Sequence, residues 1–225
     1  EEFLTKGKYK GTRIHTNRQR AVEILSGDDL KDYGIELKKG EVAFANFGHD
    51  DTFKIAVLNP NNLSTKPSFL VEEFGKGPTE SHDMWLFKMK PGTSVRVLTQ
   101  IQAQPFTEQQ LDSLIFTIEG VNHGGRGFNV YVDGVINNYN IVYQFMSLEE
   151  KLKRSIAKQG HLIHDIPVEL SQREVKNFFM QSIKESHAAR SGRSYNTLNR
   201  NCTSEALRLL DQALVKTRGV SYRLA

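Results

Sequence analysis

The chain has 225 residues, of which 38% are hydrophobic and 25% charged, and its formal net charge is +4 at pH 7. These values are typical of a globular domain with enough residues for a substantial core. No stretch approaches the roughly 20 consecutive apolar residues of a membrane-spanning helix, and a single cysteine excludes an internal disulfide. A mildly basic surface is compatible with an anionic membrane or a nucleic acid and demonstrates neither.

The first half of the chain is predicted to be rich in strands. Residues 1–39 are polar and basic and are predicted to form an N-terminal arm or surface strands. Runs with apolar alternation, or with many β-branched and aromatic residues, predict strands at 40–47, 53–58, 68–74, 84–89 and 93–98. The turn residues Lys90, Pro91 and Gly92 predict a hairpin between the last two runs.

The second half is predicted to be helical. Three sequences typical of a capping box, at 107–110, 147–150 and 171–174, each precede a run that we interpret as a helix. Strands followed by helices favour an α+β fold in a single domain. We divide this domain into the arm at 1–39, a histidine-bearing sheet at 40–98, an insertion at 99–167 and helices at 168–225.

Cys202 is the most informative residue, because it directly precedes an amphipathic run at 204–215. A thiol at a helix N-terminus is near the positive end of the helix dipole and near unpaired N–H groups, and both stabilise the nucleophilic thiolate. The alternative is a buried, unreactive cysteine that acts as a small hydrophobe.

A cysteine nucleophile needs a base and a group that orients the base. Among seven histidines, His49 follows a glycine at a break between two predicted strands, from which a side chain can be presented. Glu72 and Glu73 end the next strand, and only one of them can share the face of the imidazole. The neighbouring Asp50 and Asp51 are weaker candidates, because adjacent residues rarely point at each other.

Tyr195 and Asn201 flank the thiol, and both can donate hydrogen bonds to an oxyanion beside the Cys202 N–H. Asn201 is equally typical of a helix N-cap. No second pair of ligands accompanies His161 and His164, so no metal is predicted.

Nucleotide cofactors and nucleic acids are not predicted either. The glycine-rich segment 124–127 lacks the Lys-Ser/Thr ending of a phosphate-binding loop, and we interpret it as a loop at the edge of a cleft. The aromatic residues between 128 and 145 lack a dense basic partner surface, which favours core or cleft wall over an RNA-binding face.

Three short blocks resemble the Lnb-type N-terminal periplasmic domain. Phe47-Gly-His49, followed by 53–57, is similar to that family's "FGH…LRV" segment, 71–75 to its "YNFG" segment, and Tyr195 to Thr203 to its "Y…NNCT" nucleophile segment. The resemblance implies a circularly permuted, papain-like (NlpC-like) fold, with an antiparallel sheet packed on helices and the cysteine at a helix N-terminus. It implies that Cys202 and His49 are catalytic, with Glu73 at the position of the family's Asn, and Glu72 as the other candidate.

By this resemblance the domain is a lipoprotein N-acyltransferase. An acyl chain passes from a membrane phospholipid to Cys202 as a thioester, and the α-amino group of a diacylated lipoprotein then accepts it. The resemblance also implies a periplasmic location facing the membrane, with transmembrane helices following the domain. Two alternatives are a papain-like cysteine peptidase or amidase acting on cell-wall peptide, and a non-catalytic domain that binds lipid or a partner. The non-catalytic alternative predicts that Cys202 and His49 do not meet.

Overall fold

A computed structural model describes residues 19–74, 81–100, 107–121, 132–189 and 193–218. Within these residues the fold is mixed α+β, as predicted, with one large open sheet and four α-helices. The helices are α1 (Asp28–Asp32), α2 (Leu148–Leu152), α3 (Gln172–Ala189) and α4 (Cys202–Arg218). A 3₁₀ turn at Pro60–Asn62 and a π-helical turn at Lys153–Ala157 complete the helical elements that are described.

Eleven strands of the described chain form the sheet. In chain order they are β1 (Glu23–Leu25), β2 (Val42–His49), β3 (Thr52–Leu58), β4 (Ser68–Glu73), β5 (Ser81–Lys88), β6 (Val95–Thr99), β7 (Glu108–Leu111), β8 (Ser113–Val121), β9 (Tyr139–Met146), β10 (Leu162–Pro167) and β11 (Arg193–Tyr195). Their spatial order is β10-β4-β5-β8-β9-β2-β3-β6-β7, with β1 beside β2 and β11 beside β9. The pairs are antiparallel except for β2 with β9, which run parallel.

Local sequence accounts for the elements that were predicted. Asp50 and Asp51 both have positive φ, at 51° and 55°, which is the conformation that a tight two-residue hairpin turn requires. They join β2 to β3 at the predicted break. Ser147 caps α2 by accepting a hydrogen bond from the Glu150 N–H at 3.1 Å. Ser171 caps α3 in the same way, and the carboxylate of Glu174 accepts from the Ser171 N–H at 2.7 Å.

The main core lies between the sheet and the two long helices. Trp85 and Phe87 of β5 contact Phe178 of α3, and Phe87 also contacts Phe179. Ala206, Leu209 and Ala213 bring one face of α4 into the same core. A smaller cluster covers the opposite face of the middle strands and comprises Leu70, Met84, Leu86, Ile115 and Met146. The central strands are therefore buried on both faces.

Two predictions about these strands are wrong. The run after 107 is not a helix but β7 and β8, because a strand buried on both faces is a continuous apolar run that also fits a helical period. The predicted hairpin around Pro91 is absent: β5 pairs with β4 and β8, whereas β6 pairs with β3 and β7. The turn itself forms, with the Thr93 N–H donating to the Lys90 carbonyl at 3.0 Å, and it connects distant parts of the sheet.

The segment 99–167, predicted as an insertion, contributes β8 and β9 to the middle of the sheet. Of the remaining interpretations, most of the basic arm, the glycine-rich loop at 124–127 and the aromatic run from 128 to 131 lie outside the described residues.

Candidate active site

Cys202 is the first residue of α4. Asn201 precedes it and forms a reciprocal cap with Ser204: the Ser204 N–H donates to Asn201 Oδ1 at 2.8 Å, and the Asn201 N–H donates to Ser204 Oγ at 2.9 Å. Both side chains are short and polar, and they satisfy N–H groups that the first helical turn leaves without a partner. The local sequence thus starts the helix at the thiol, which is only 6% exposed.

His82 meets this thiol from the start of β5, where its side chain forms a hydrogen bond with Cys202. Its Nε2 lies 2.6 Å from Thr117 Oγ1 and 3.1 Å from Glu119 Oε1. Because Nε2 is held by these two β8 side chains, Nδ1 is the ring nitrogen left for the sulfur.

Strand pairing explains why these side chains converge. Met84 lies opposite Thr117 in the antiparallel pair of β5 and β8, so His82, two residues earlier, aligns with Glu119, two residues later. Alternate residues of a strand share a face, so Thr117 and Glu119 both approach the imidazole. The Thr117 hydroxyl in turn donates to Glu119 Oε1 at 3.0 Å.

The charges of the three groups support one another. Burial raises the pKa of the Cys202 thiol, but hydrogen bonding to His82 and its positive charge outweigh burial and hold the pKa below its usual value. Burial likewise lowers the pKa of His82, but the Glu119 carboxylate and the Cys202 contact raise it to about 10. The imidazolium keeps the pKa of Glu119 well below its usual range despite burial. The arrangement stabilises a thiolate–imidazolium pair.

Two further residues contact Cys202. The Tyr195 hydroxyl forms hydrogen bonds with both the thiol and the backbone of Cys202, and burial together with the nearby thiolate charge raises the pKa of the phenol. The Asp83 N–H donates to the sulfur. This set of donors can stabilise negative charge on the sulfur or on an oxygen bonded to a carbon beside it.

A model of the Lnb N-terminal periplasmic domain family matches residues 105–223, just over half of the chain. The chain belongs to this family. The matched range contains Glu119, Tyr195 and Cys202, and it confirms the resemblance of the Tyr195 to Thr203 segment. The two other blocks that carried the resemblance lie before the matched range, as does His82. No curated protein and no solved structure matches the chain.

The structure does not bring His49 to Cys202, so the expected pairing of these two residues is wrong. His49 is buried at the end of β2, where its Nδ1 lies 2.9 Å from Ser147 Oγ and its Nε2 lies 2.5 Å from Gln109 Oε1. Its ring therefore bridges the start of α2 to β7. The non-catalytic alternative predicted this separation, but the thiol has a different histidine partner.

Sheet geometry shows how far apart the two histidines are. Strands β8 and β9 lie between β5 and β2, and the pairing aligns Gly48 with Leu86, at the other end of β5 from His82. With about 4.8 Å between strands and about 3.3 Å per residue along them, His49 lies roughly 20 Å from His82.

Neither glutamate at the end of β4 orients His49 as expected. Glu73 is half exposed and forms an ion pair with His164 Nε2 at 3.2 Å. Glu72 is buried and contacts Lys151 Nζ and His161 Nδ1, both at 2.7 Å. Burial raises the pKa of Glu72, but the neighbouring groups, above all the charge of Lys151, outweigh burial and lower the pKa below its usual value.

Of the other predicted residues, Tyr195 does reach the thiol, whereas Asn201 is occupied in the helix cap. The second polar atom of the Asn201 side chain, Nδ2, donates to the Thr197 carbonyl at 2.7 Å. Asn201 is therefore held as a capping residue, and its amide is directed into the loop before α4.

The sequence reasoning missed His82, Thr117 and Glu119. The predicted strand began at Met84 and left His82 outside it. The helical interpretation of 107–118 placed Thr117 and Glu119 on different faces, because residues two apart do not share a face of a helix. Recognising β8 as a strand would have placed these two side chains on one face, although the pairing of β8 with β5 depends on sheet order.

Among the described residues, no group of three or more His, Cys, Asp or Glu side chains is arranged to hold a metal ion. No helix in the described parts of the chain is both long enough and apolar enough to cross a membrane.

Proposed function

We propose that the protein is a thiol-dependent acyltransferase that moves an acyl chain from a membrane phospholipid, through a thioester on Cys202, to the α-amino group of a diacylated lipoprotein. The observation that carries the proposal is the hydrogen-bonded series of Cys202, His82 and Glu119, in which the thiol and the imidazole are buried. His82 takes the role of base that the sequence suggested for His49. Family membership supports the same chemistry and a periplasmic location.

The mechanism follows from the charge pattern. The Cys202 thiolate attacks the ester carbonyl of the phospholipid, and the His82 imidazolium gives its proton to the departing lysophospholipid oxygen. The lipoprotein amine then attacks the thioester, His82 accepts a proton from that amine, and the thiolate leaves. We assign the Tyr195 hydroxyl, which forms a hydrogen bond with the Cys202 thiol, as a donor to the oxyanion of both tetrahedral intermediates.

Burial favours transfer to an amine over hydrolysis. The exposed fractions of Cys202 and His82 are only 6% and 9%, so little water reaches the sulfur until a substrate opens the site. A thioester is reactive toward amines and survives where water is scarce. The same observation argues against a peptidase, which needs an open cleft and a water molecule as acceptor.

An exposed apolar patch beside the thiol supports approach to a membrane. Three aliphatic side chains at turns are 57%, 49% and 75% exposed: Val132, Ile136 and Leu198. The Thr197 N–H donates to the Gly134 carbonyl at 3.1 Å, which joins the two turns that carry these residues. The Thr197 carbonyl also accepts from Asn201, the residue before Cys202. Aliphatic residues inserted into the headgroup region would hold the thiol close to its acyl donor.

We also propose that the arrangement is that of a circularly permuted papain-like domain. Its support is the order along the chain, with the histidine on a strand first and the cysteine at a helix start last. Within the described residues the sheet has eleven strands, and it is antiparallel except for the pair of β2 and β9.

Intact mass after incubation with phospholipid vesicles tests the acyl-enzyme step. We expect an adduct of one acyl chain that hydroxylamine removes and that is absent in Cys202→Ala. His82→Gln and His49→Gln are a matched pair, because both rings are buried and contact a hydroxyl side chain. We expect His82→Gln to slow adduct formation by about 10²–10⁴-fold, the usual contribution of a general base, and His49→Gln to leave it unchanged.

Equal loss in both histidine variants, with both folded, would refute the assignment of the base. Hydrolysis of a cell-wall peptide without any acyl adduct would instead favour the peptidase. For the apolar patch, Leu198→Ser should weaken binding to vesicles, while Leu162→Ser, on the edge strand β10 and 63% exposed, serves as the control. Equal vesicle binding by the two variants would contradict the proposed approach.

A further inference from the structure

Hydrogen bonds join the strand that carries the base to the helix that carries the nucleophile. The Thr203 hydroxyl donates to Asp83 Oδ2, and the Asp83 N–H donates to the Cys202 sulfur. Asp83 follows His82 in β5, and Thr203 follows Cys202 in α4. The bond between Thr203 and Asp83 therefore links the two residues that directly follow the proposed catalytic pair in the chain.

The Asp83 carboxylate is unfavourable for the thiolate. Asp83 is buried, and its negative charge opposes ionisation of the nearby thiol, although His82 outweighs it. Chemistry alone would favour a neutral residue here. A buried carboxylate that accepts from a hydroxyl forms a stronger and more directional bond than a neutral acceptor does. We therefore infer that this bond offsets the electrostatic cost by holding the two chain segments in position.

We propose that Asp83 and Thr203 are positioning residues, which clamp the start of β5 to the start of α4 and so set the distance between His82 and the Cys202 sulfur. This inference rests on the proposed function for its catalytic consequence. Proton transfer and nucleophilic attack depend steeply on geometry, and a displacement of about 1 Å can cost about 10²-fold in rate.

The rate of alkylation of Cys202 by iodoacetamide tests the clamp without any lipid substrate. Thr203→Val removes the donor, and we expect it to lower both the alkylation rate and kcat for acyl transfer by about 10–10²-fold, with little change in KM. Thr203→Ser keeps the hydroxyl and should restore both rates. Thr99→Val is the matched control, because Thr99 bonds to Thr107 on an exposed part of the sheet.

Asp83→Asn separates position from charge. An asparagine oxygen still accepts from Thr203, so the alkylation rate at its high-pH plateau should not change. The midpoint of the alkylation profile should move to lower pH, because a negative charge beside the thiolate is removed while the other groups facing it, His82 and Tyr195, stay. If Thr203→Val does not fold, Thr203→Ala in the Asp83→Asn background breaks the clamp without leaving a buried charge unpaired.

Wild-type alkylation and transfer rates in Thr203→Val, or in the double variant, would overturn the clamp. A loss that Thr203→Ser does not rescue would overturn it as well. Failure of the proposed function would give a different result. The wild-type protein would then show no acyl transfer, while the alkylation rates of the variants would still differ as expected for the clamp.

Discussion

Replacement of Glu119 by glutamine should narrow the pH range of activity from both sides. Glu119 holds the pKa of His82 at about 10, against the burial that would lower it. The glutamine amide would keep one acceptor at the position of Glu119 Oε1, 3.1 Å from the ring. It would lose the negative charge, which at such a separation is typically worth about 1–3 pKa units. The alkaline limb of kcat/KM, where His82 loses its proton, should fall by that amount.

The acid limb should rise in the same variant, because a less protonated His82 stabilises the Cys202 thiolate less. Each pKa unit is a tenfold change in the ratio of the two protonation states, so the ratio of the ion pair to the neutral thiol–imidazole pair falls by about 10–10³-fold. The assay is the pH dependence of acyl transfer together with iodoacetamide alkylation. Glu73→Gln is the matched control, since Glu73 pairs with His164 at the surface. An unshifted profile in a folded Glu119→Gln protein would refute the assigned role of this carboxylate.

Two further predictions concern stability. Tyr143→Phe removes the hydroxyl that donates to Glu205 Oε2 at 2.7 Å and leaves a buried carboxylate short of a donor, so urea unfolding should show a loss of about 1–3 kcal/mol. Tyr33→Phe, at a half-buried position, should change stability much less, and an equal effect would contradict the reasoning. Asn201→Ala should cost about 1 kcal/mol through loss of the helix cap, whereas Asn201→Ser should preserve stability and kcat/KM. A large fall in kcat for Asn201→Ser at unchanged stability would instead indicate an oxyanion role.

Sequence reasoning succeeded where the signal was local. The alternating runs predicted β2, β3 and β4, and the serine caps predicted the starts of α2 and α3. Cys202 was predicted at the start of a helix because its neighbours carry that information. Strands β8 and β9 were not predicted, because they lack such a local signal. Each is buried on both faces, so no alternation of apolar and polar residues distinguishes it from a helix or a cleft wall.

Local sequence did not identify the histidine that meets the thiol, because that contact depends on strand order. His49 and His82 are both buried histidines at strand ends. The glycine and the strand break beside His49 do not indicate which of the two meets the thiol. Only the pairing of β5 with β8 brings a carboxylate to His82, and only the docking of α4 brings the thiol. Sheet order is set by contacts between residues distant in sequence, which a short motif does not encode.

Because His82 and Cys202 are far apart along the chain, the thiol becomes reactive only when folding brings them together. An unfolded chain carries an ordinary cysteine, since the groups that promote its ionisation arrive from separate strands only as the tertiary structure closes. Cys202 is also the one thiol in the sequence, so a single electrophile reports on that event at a single atom. The rate at which the sulfur is modified should therefore increase as β5 and β8 pack against the start of α4. If that contact loosens, the rate should change before secondary structure is lost.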